Sequence, residues 1–241
     1  GNNSEGILGV PIYNGGAPLG DQPGEMGENL PLLYDGGVKR IISGSVHNCA
    51  VLEHENSADT LECWGRDTYR MLGLGDTPDH GANLGDQDNE FETETKRVNL
   101  TNKGEIYIIK AASHMTCFLN LDSELYCWGK NDKGQLGRGN SQDSGVPTKI
   151  DLGTDDWGEE HYAINFAIGI RHTCAVLWDN RVKCWGRNGI DHPGQDSTVG
   201  ILGIGSNEAG LVIGDGRDQS GDLEVEMGNS LAFTDVGISD D

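Results

Sequence analysis

Six cysteines fall as three pairs, Cys49 and Cys63, Cys117 and Cys127, Cys174 and Cys184. A zinc site would ask for a C-x-x-C spacing, which the chain lacks. Two readings stay open. Each pair is either a disulfide, or two small thiols packed in a core, where free cysteine is at home. Just ahead of the first cysteine of each pair, by two or three residues, stands a histidine: His47, His114 and His172. Histidine in such a place could ligate a metal or move a proton. A catalytic site is assembled once, however, and these histidines recur, which predicts a hydrogen bond internal to each repeat. Trp64, Trp128 and Trp185 follow the second cysteines and are expected to pack between repeats with their indole N–H satisfied.

Acidic loops offer a second chemistry. "LGDQPGEMGENLP" (19–31) and "IGDGRDQSGDLEVEMGNSL" (213–231) share a Glu-Met-Gly core, and "GLGDTPDHGANLGDQDNE" (73–90) is a looser relative. Carboxylates spaced among glycines suit calcium, which takes roughly six to eight oxygen ligands. The ligands would be Asp21, Glu25 and Glu28 in the first loop, and Asp215, Asp218, Asp222 and Glu226 in the last. None fits the EF-hand spacing. The competing reading is a solvated acidic rim. Two sequons, at Asn2 and Asn99, would be glycosylation acceptors in a secreted eukaryotic protein. The chain shows no nucleophile elbow, phosphate loop or H-E-x-x-H helix.

The elements that must position these residues are repeated. "HNCAVLEHENSADTLECWGR" (47–66), "HMTCFLNLDSELYCWGKN" (114–131) and "HTCAVLWDNRVKCWGRN" (172–188) are followed by "MLGLGD", "GQLGRG" and "GILGIG". The Trp-Gly glycines stand at 65, 129 and 186, giving periods of 64 and 57 residues. Short alternating strands flank a turn at Asp179, with Cys174 and Val176 mirroring Cys184 and Val182. The second unit is symmetric about Asp122. In the first, the additional residues are expected to form a longer polar turn, "EHENSADT". Facing positions of such a hairpin have Cα atoms roughly 4.5–5.5 Å apart, within disulfide reach. The glycine-leucine, "VPTKIDLG" and "NLPLLYDGG" phrases are expected to add strands. Three or four strands per unit is the pattern of a propeller blade.

The combination G-x-x-H-T-C-A-V-L, C-W-G-x-N and G-x-L-G-x-G resembles the regulator of chromosome condensation repeat, above all its cysteine-containing, long-looped variety. The resemblance implies an all-β fold of β-propeller blades, seven of which close a ring in the family. Here about three and a half repeats are expected in an incomplete ring. The organisation is a trailing half-repeat over 1–37, repeats over 38–103 and 104–156, and a repeat with a long acidic loop over 157–241. "GNNSEGILG" aligns with "GKNDKGQLG" at 129–137, so Gly1 takes the Trp-Gly glycine position.

Seventeen Lys and Arg against 39 Asp and Glu give a formal charge of −22, which disfavours nucleic acid and anionic membranes as partners. No apolar run approaches the roughly 18 residues of a membrane span. Disulfides would imply an oxidising, extracellular or cell-surface setting. The expected function is a non-enzymatic structural or protein-interaction module. Its partner is another protein, or further repeats of the same or neighbouring chains completing the open blade edges. The resemblance also implies two alternatives. One is a secreted propeller that inhibits a specific protein by one face. The other is a guanine-nucleotide exchange factor, against which paired cysteines and the lack of a basic tail count. Light sensing by clustered tryptophans, another use of the family, is not reproduced by one motif tryptophan per unit.

Overall fold

The computed structural model describes residues 1, 3, 5–10, 18–76, 83–87, 90, 96–189, 201–204, 211–215 and 226–234. Asn2, Asp218 and Asp222 lie outside these. Among the described residues eleven strands form three antiparallel sheets. The first holds β1 (Val38–Ser43), β2 (His47–His54) and β3 (Ser57–Gly65). The second holds β4 (Ile106–Ala112), β5 (Met115–Asn120), β6 (Leu125–Gly129) and β7 (Ser144–Lys149). The third holds β8 (Ala163–Ile168), β9 (His172–Leu177), β10 (Val182–Arg187) and β11 (Val212–Ile213). Each is a meander whose spatial order follows the sequence. Among the described residues there is no α-helix, and 3-10 turns at Gly27–Asn29 and Gly228–Ser230 each directly follow a Glu-Met pair.

The sheets stack as successive blades and do not close into a ring. β1 packs beside β4, and β4 beside β8. Between blades 1 and 2 lies a core that includes Val51, Leu61, Leu72, Ile109, Phe118 and Trp128. Between blades 2 and 3 lies another, with Leu119, Leu136, Phe166, Leu177 and Trp185. The middle blade is covered on both faces, so every residue of β5 and β6 is buried. β9 has one covered face only, and its residues alternate between buried and half-buried. The same apolar strand motif thus reads as continuous or alternating burial according to its neighbours.

The cysteines face each other in all three hairpins and are bonded, with Cα atoms 4.1 Å apart. Three expectations are corrected. The "NLPLLYDGG" phrase (29–37) forms no strand. In blade 1 the additional residues lengthen the strands rather than the turn. His54 pairs with Ser57 across a turn of Glu55 and Asn56, and His54 Nε2 lies 2.9 Å from Thr60 Oγ1. The glycine-leucine phrases are not strands but tight turns, closed by Gly9 N–H to Gly6 C=O, Gly73 to Arg70 and Gly137 to Gly134. Their glycines sit at positive φ, which extended strand would not allow.

Candidate functional site

The repeated polar side chains meet at the seams between blades. Trp64 Nε1 donates to the Ile7 carbonyl at 3.1 Å, Trp128 to Met71 at 3.0 Å and Trp185 to Gln135 at 3.1 Å. In every case the acceptor is the variable residue of the preceding glycine-leucine turn. Two of these carbonyls take a second donor from the residue before the first cysteine. Asn48 Nδ2 reaches Ile7 at 2.6 Å, and Thr173 Oγ1 reaches Gln135 at 2.9 Å. The turn is held from its own side as well. Asn3, Asp67, Asn131 and Asn188 accept the N–H of Leu8, Leu72, Leu136 and Leu202 through Oδ1, at 2.8–3.0 Å. A Cβ on Gly73 or Gly137 would stand 2.6 Å from the seam tryptophan's Nε1, so the glycine is there to admit the indole.

The histidines need a correction. Strand register sets His47 opposite Gly65, His172 opposite Gly186 and Met115 opposite Gly129. The repeat histidine of blade 2 is therefore replaced by Met115, and His114 occupies the place of Val46 and Arg171. Gly44 and Gly169 lie against the imidazoles of His47 and His172, where a Cβ would come within 2.3 Å and 2.1 Å of Cε1. His47 is fully buried, and its Nε2 lies 2.8 Å from Thr116 Oγ1 of the next blade. The hydrogen bond crosses a seam instead of staying inside a repeat. Burial, with His114 nearby, pushes the His47 pKa down to about 4. His114 instead pairs through Nδ1 with Ser113 Oγ at 2.7 Å and meets Tyr69 edge-on.

The residue before the second cysteine varies, and its burial was not foreseen. Glu62 is buried and meets Lys96 Nζ at 3.1 Å, Arg97 Nε at 3.2 Å and Tyr34 OH at 2.9 Å. Burial and the Glu62 charge raise the Tyr34 pKa well above that of free tyrosine. Its counterpart Lys183, also buried, donates to the carbonyls of Leu152 and Gly228 at 2.9 and 3.1 Å, and burial lowers its pKa. These partners come from loops distant in sequence, and no motif marks them.

Glu25 receives backbone N–H donors from Gly20, Asp21 and Gln22 on one oxygen, at 2.8–3.0 Å. Those hydrogen bonds hold its pKa below the usual glutamate value. Glu90 does the same for Gly85, Asp86 and Gln87. The shared pattern is G-D-Q-x-x-E, legible in the sequence as "GDQPGE" and "GDQDNE". Glu226 accepts from Gly214 at 2.9 Å. Three of the acidic loops are therefore tied by their own glutamates. Glu28 sits in the exposed turn after Glu25, and Asp215 is half-buried beside Gly214. Among the described residues no group of three or more His, Cys, Asp or Glu is placed to hold a metal ion. Asn99 is exposed, and its Oδ1 accepts the Thr101 N–H at 2.9 Å.

Blade 3 presents a seam half without a mate among the described residues. Leu202 is held by Asn188, and Gly203 has φ 65°. Ile201 stands where Ile7, Met71 and Gln135 stand, and no described residue donates to its carbonyl. Cys49 and Cys117 are fully buried, as are Val51 and Leu119, whereas Cys174 and Val176 are half-buried. The side chains that face the next blade in blades 1 and 2 face partly into solvent in blade 3.

Comparison with known proteins shows a family likeness at the seam between blades 2 and 3. Residues 122–176 match the model of the regulator of chromosome condensation (RCC1) repeat, a stretch that takes in the Leu136 turn and Thr173, both sides of one seam. The chain is similar to the ultraviolet-B receptor UVR8 of Arabidopsis thaliana, 29% identical over 175 residues, covering 71% of this chain and 32% of that protein. It is similar to protein RCC1 of Candida albicans, 28% identical over 160 residues, covering 64% and 32%. Among solved structures it resembles yeast RCC1 (Prp20), crystallised bound to Kap60, with TM-score 0.54 and 22% identity over 73% of this chain and 36% of that one. The chain spans about a third of the length of these relatives.

Proposed function

Because this chain is an RCC1-repeat protein, we propose that it is a non-enzymatic protein-interaction module, an arc of propeller whose third blade receives a further repeat. One observation carries the reading. The half-seam of Ile201, Gly203, His172, Cys174 and Val176 repeats the geometry that is filled at three other seams. A half-buried face of this kind leaves a hydrogen-bond acceptor and an apolar disulfide face without a mate among the described residues, and docking a C-W-G hairpin on it would cover both. The further repeat belongs either to the same polypeptide or to a neighbouring chain. Three disulfides support an oxidising, extracellular or cell-surface setting. The exchange-factor reading has no observation of its own in its favour and stands behind this one.

Native mass spectrometry of the protein purified from its source tests the proposal. A polypeptide or assembly well above the 25.9 kDa of this chain is expected. A stable monomer of that mass would overturn it. So would a Val176→Asp change that leaves the assembly and its melting temperature unaltered, since Val176 would then face water in the intact protein.

A further inference from the structure

The seams account for the buried repeat positions and leave exposed apolar side chains unexplained, among them a group on blades 2 and 3. The first strand of each blade carries a β-bulge, where pairing skips a residue: Lys39 in β1, Tyr107 in β4 and Ile164 in β8. A bulge turns its side chain out of the sheet. The fold requires the bulge three times but not an apolar residue on it, as Lys39 shows. The same holds four residues past the first cysteine, where blade 1 has Glu53, inside its longer strand, and blades 2 and 3 have Leu121 and Trp178, at the hairpin tips. Tyr107, Leu121, Ile164 and Trp178 are 52%, 60%, 42% and 42% exposed. Tyr162 stacks on Trp178 with ring centroids 5.8 Å apart, extending the surface. Between blades 2 and 3, Tyr107, Leu119, Leu121 and Ile164, together with the polar Asn120 and Ser123, line a cleft of about 330 Å³, roomy enough for a bulky side chain. Packing does not explain large apolar groups at positions that tolerate Lys and Glu.

The rim says what kind of partner fits. Lys39 is shared by Asp59 and Glu105, at 2.9 and 3.3 Å, and Lys149 by Glu124 and Glu160, at 2.9 and 3.0 Å. Asp122, next to Leu121, pairs with no cation among the described residues. The nearby Arg40, Lys103 and Lys110 are engaged by the Ile106 carbonyl, the Tyr126 ring and Asn165, which leaves Asp122 as the charge beside the cleft that a basic partner would meet, on a chain of charge −22 that repels anionic lipid. Resting on the interaction-module reading, we propose that the cleft of Tyr107, Leu121 and Ile164 takes a bulky apolar side chain from a partner protein segment flanked by lysine or arginine.

Fluorescence anisotropy with three labelled hexapeptides tests it: Lys-Arg-Leu-Phe-Lys-Arg, the same core with Glu-Asp flanks, and the same basic flanks around Ser-Asn. Only the first should bind. Leu121→Asp and Ile164→Asp should each weaken it at least about tenfold, Asp122→Asn about threefold with a shallower salt dependence, and Leu32→Asp on a remote exposed site not at all. Equal binding of the polar-core peptide, binding of the acidic one, no binding at millimolar concentration, or an unchanged affinity in both Asp variants would overturn the cleft. None of these outcomes bears on the native mass, so the cleft and the blade-docking reading fail separately.

Discussion

Gly73→Ala puts the seam to a quantitative test. Gly73 has φ 76°, where an L-residue pays about 1–2 kcal/mol. Its new Cβ would stand 2.6 Å from Trp128 Nε1, 3.0 Å from Cε2 and 3.1 Å from Cδ1. The indole is fully buried between two blades and held to the Met71 carbonyl, so it has nowhere to retreat. Overpacking of that kind costs about 1–3 kcal/mol, for a total of about 2–5 kcal/mol. Gly139→Ala is the control: its φ is 65° and nothing lies within 4 Å of its added Cβ, so it should show the backbone cost alone. Trp128→Ala should lose about 3–5 kcal/mol by itself. In that background the clash is gone, and Gly73→Ala should fall back to the cost of the control. Urea unfolding of the four members of the cycle, disulfides intact, should therefore give a coupling of about 1–3 kcal/mol. Additivity within about 0.5 kcal/mol would mean that the glycine does not exist to admit the indole, and the seam argument would fail.

Three further outcomes follow from the site. His47 stays neutral to about pH 4, while an unfolded histidine takes its proton below 6.5. Stability should therefore be lost as pH falls from 6.5 toward 4, by up to about 1.4 kcal/mol per unit. His47→Met, which copies Met115, should lack that slope, and parallel pH profiles would refute the neutral buried state. Glu25 keeps its three donors only as a carboxylate, so the hold is present above the ordinary glutamate value and lost as pH falls through its depressed one. The Gly20, Asp21 and Gln22 amide resonances should then move together in acid and stay put in millimolar calcium; a calcium shift would restore Asp21 and Glu28 as ligands. Asn99 should carry an N-linked glycan when the chain is secreted from a eukaryotic cell, seen as a mass lost to glycosidase and absent in Thr101→Ala. An unmodified wild-type chain would refute it.

The hairpins were legible because their signal is local. Alternating Cys, Val and Leu on either side of Asp122 or Asp179 determine both register and sulfur pairing, and the seam tryptophans follow from their repetition. What failed in the sequence was alignment by residue type. "HMTC" offers a histidine near the right place, yet only the count back from Cys117 reveals that Met115 holds it. Glu62 and Lys183 were out of reach for a different reason. Each precedes a cysteine and looks like a polar surface residue, and only loops arriving from Lys96, Arg97, Leu152 and Gly228 bury it. In the acidic loops composition showed the carboxylates but not their contacts: backbone N–H groups of its own loop converge on one oxygen of Glu25, and a shared G-D-Q-x-x-E was the available clue.

A seam that repeats also separates what the fold demands from what it permits. Tryptophan recurs because its indole N–H answers a carbonyl of the neighbouring blade, the glycine facing it because it admits the indole, and the Asn or Asp under the leucine turn because it holds that turn's own N–H. Where the blades differ, the lattice of hydrogen bonds imposes nothing. Glu62, Tyr126 and Lys183 share one strand position and use it for a carboxylate held by two cations, a phenol stacked on Phe118 and an ammonium held by carbonyls. Lys39, Tyr107 and Ile164 share another, in solvent, where burial cannot account for the choice. Function in a stack of near-identical blades has to reside in such permitted positions. The apolar ones cluster on adjacent blades 2 and 3 and are absent from blade 1, which is the distribution expected of a contact surface and not of a repeat consensus.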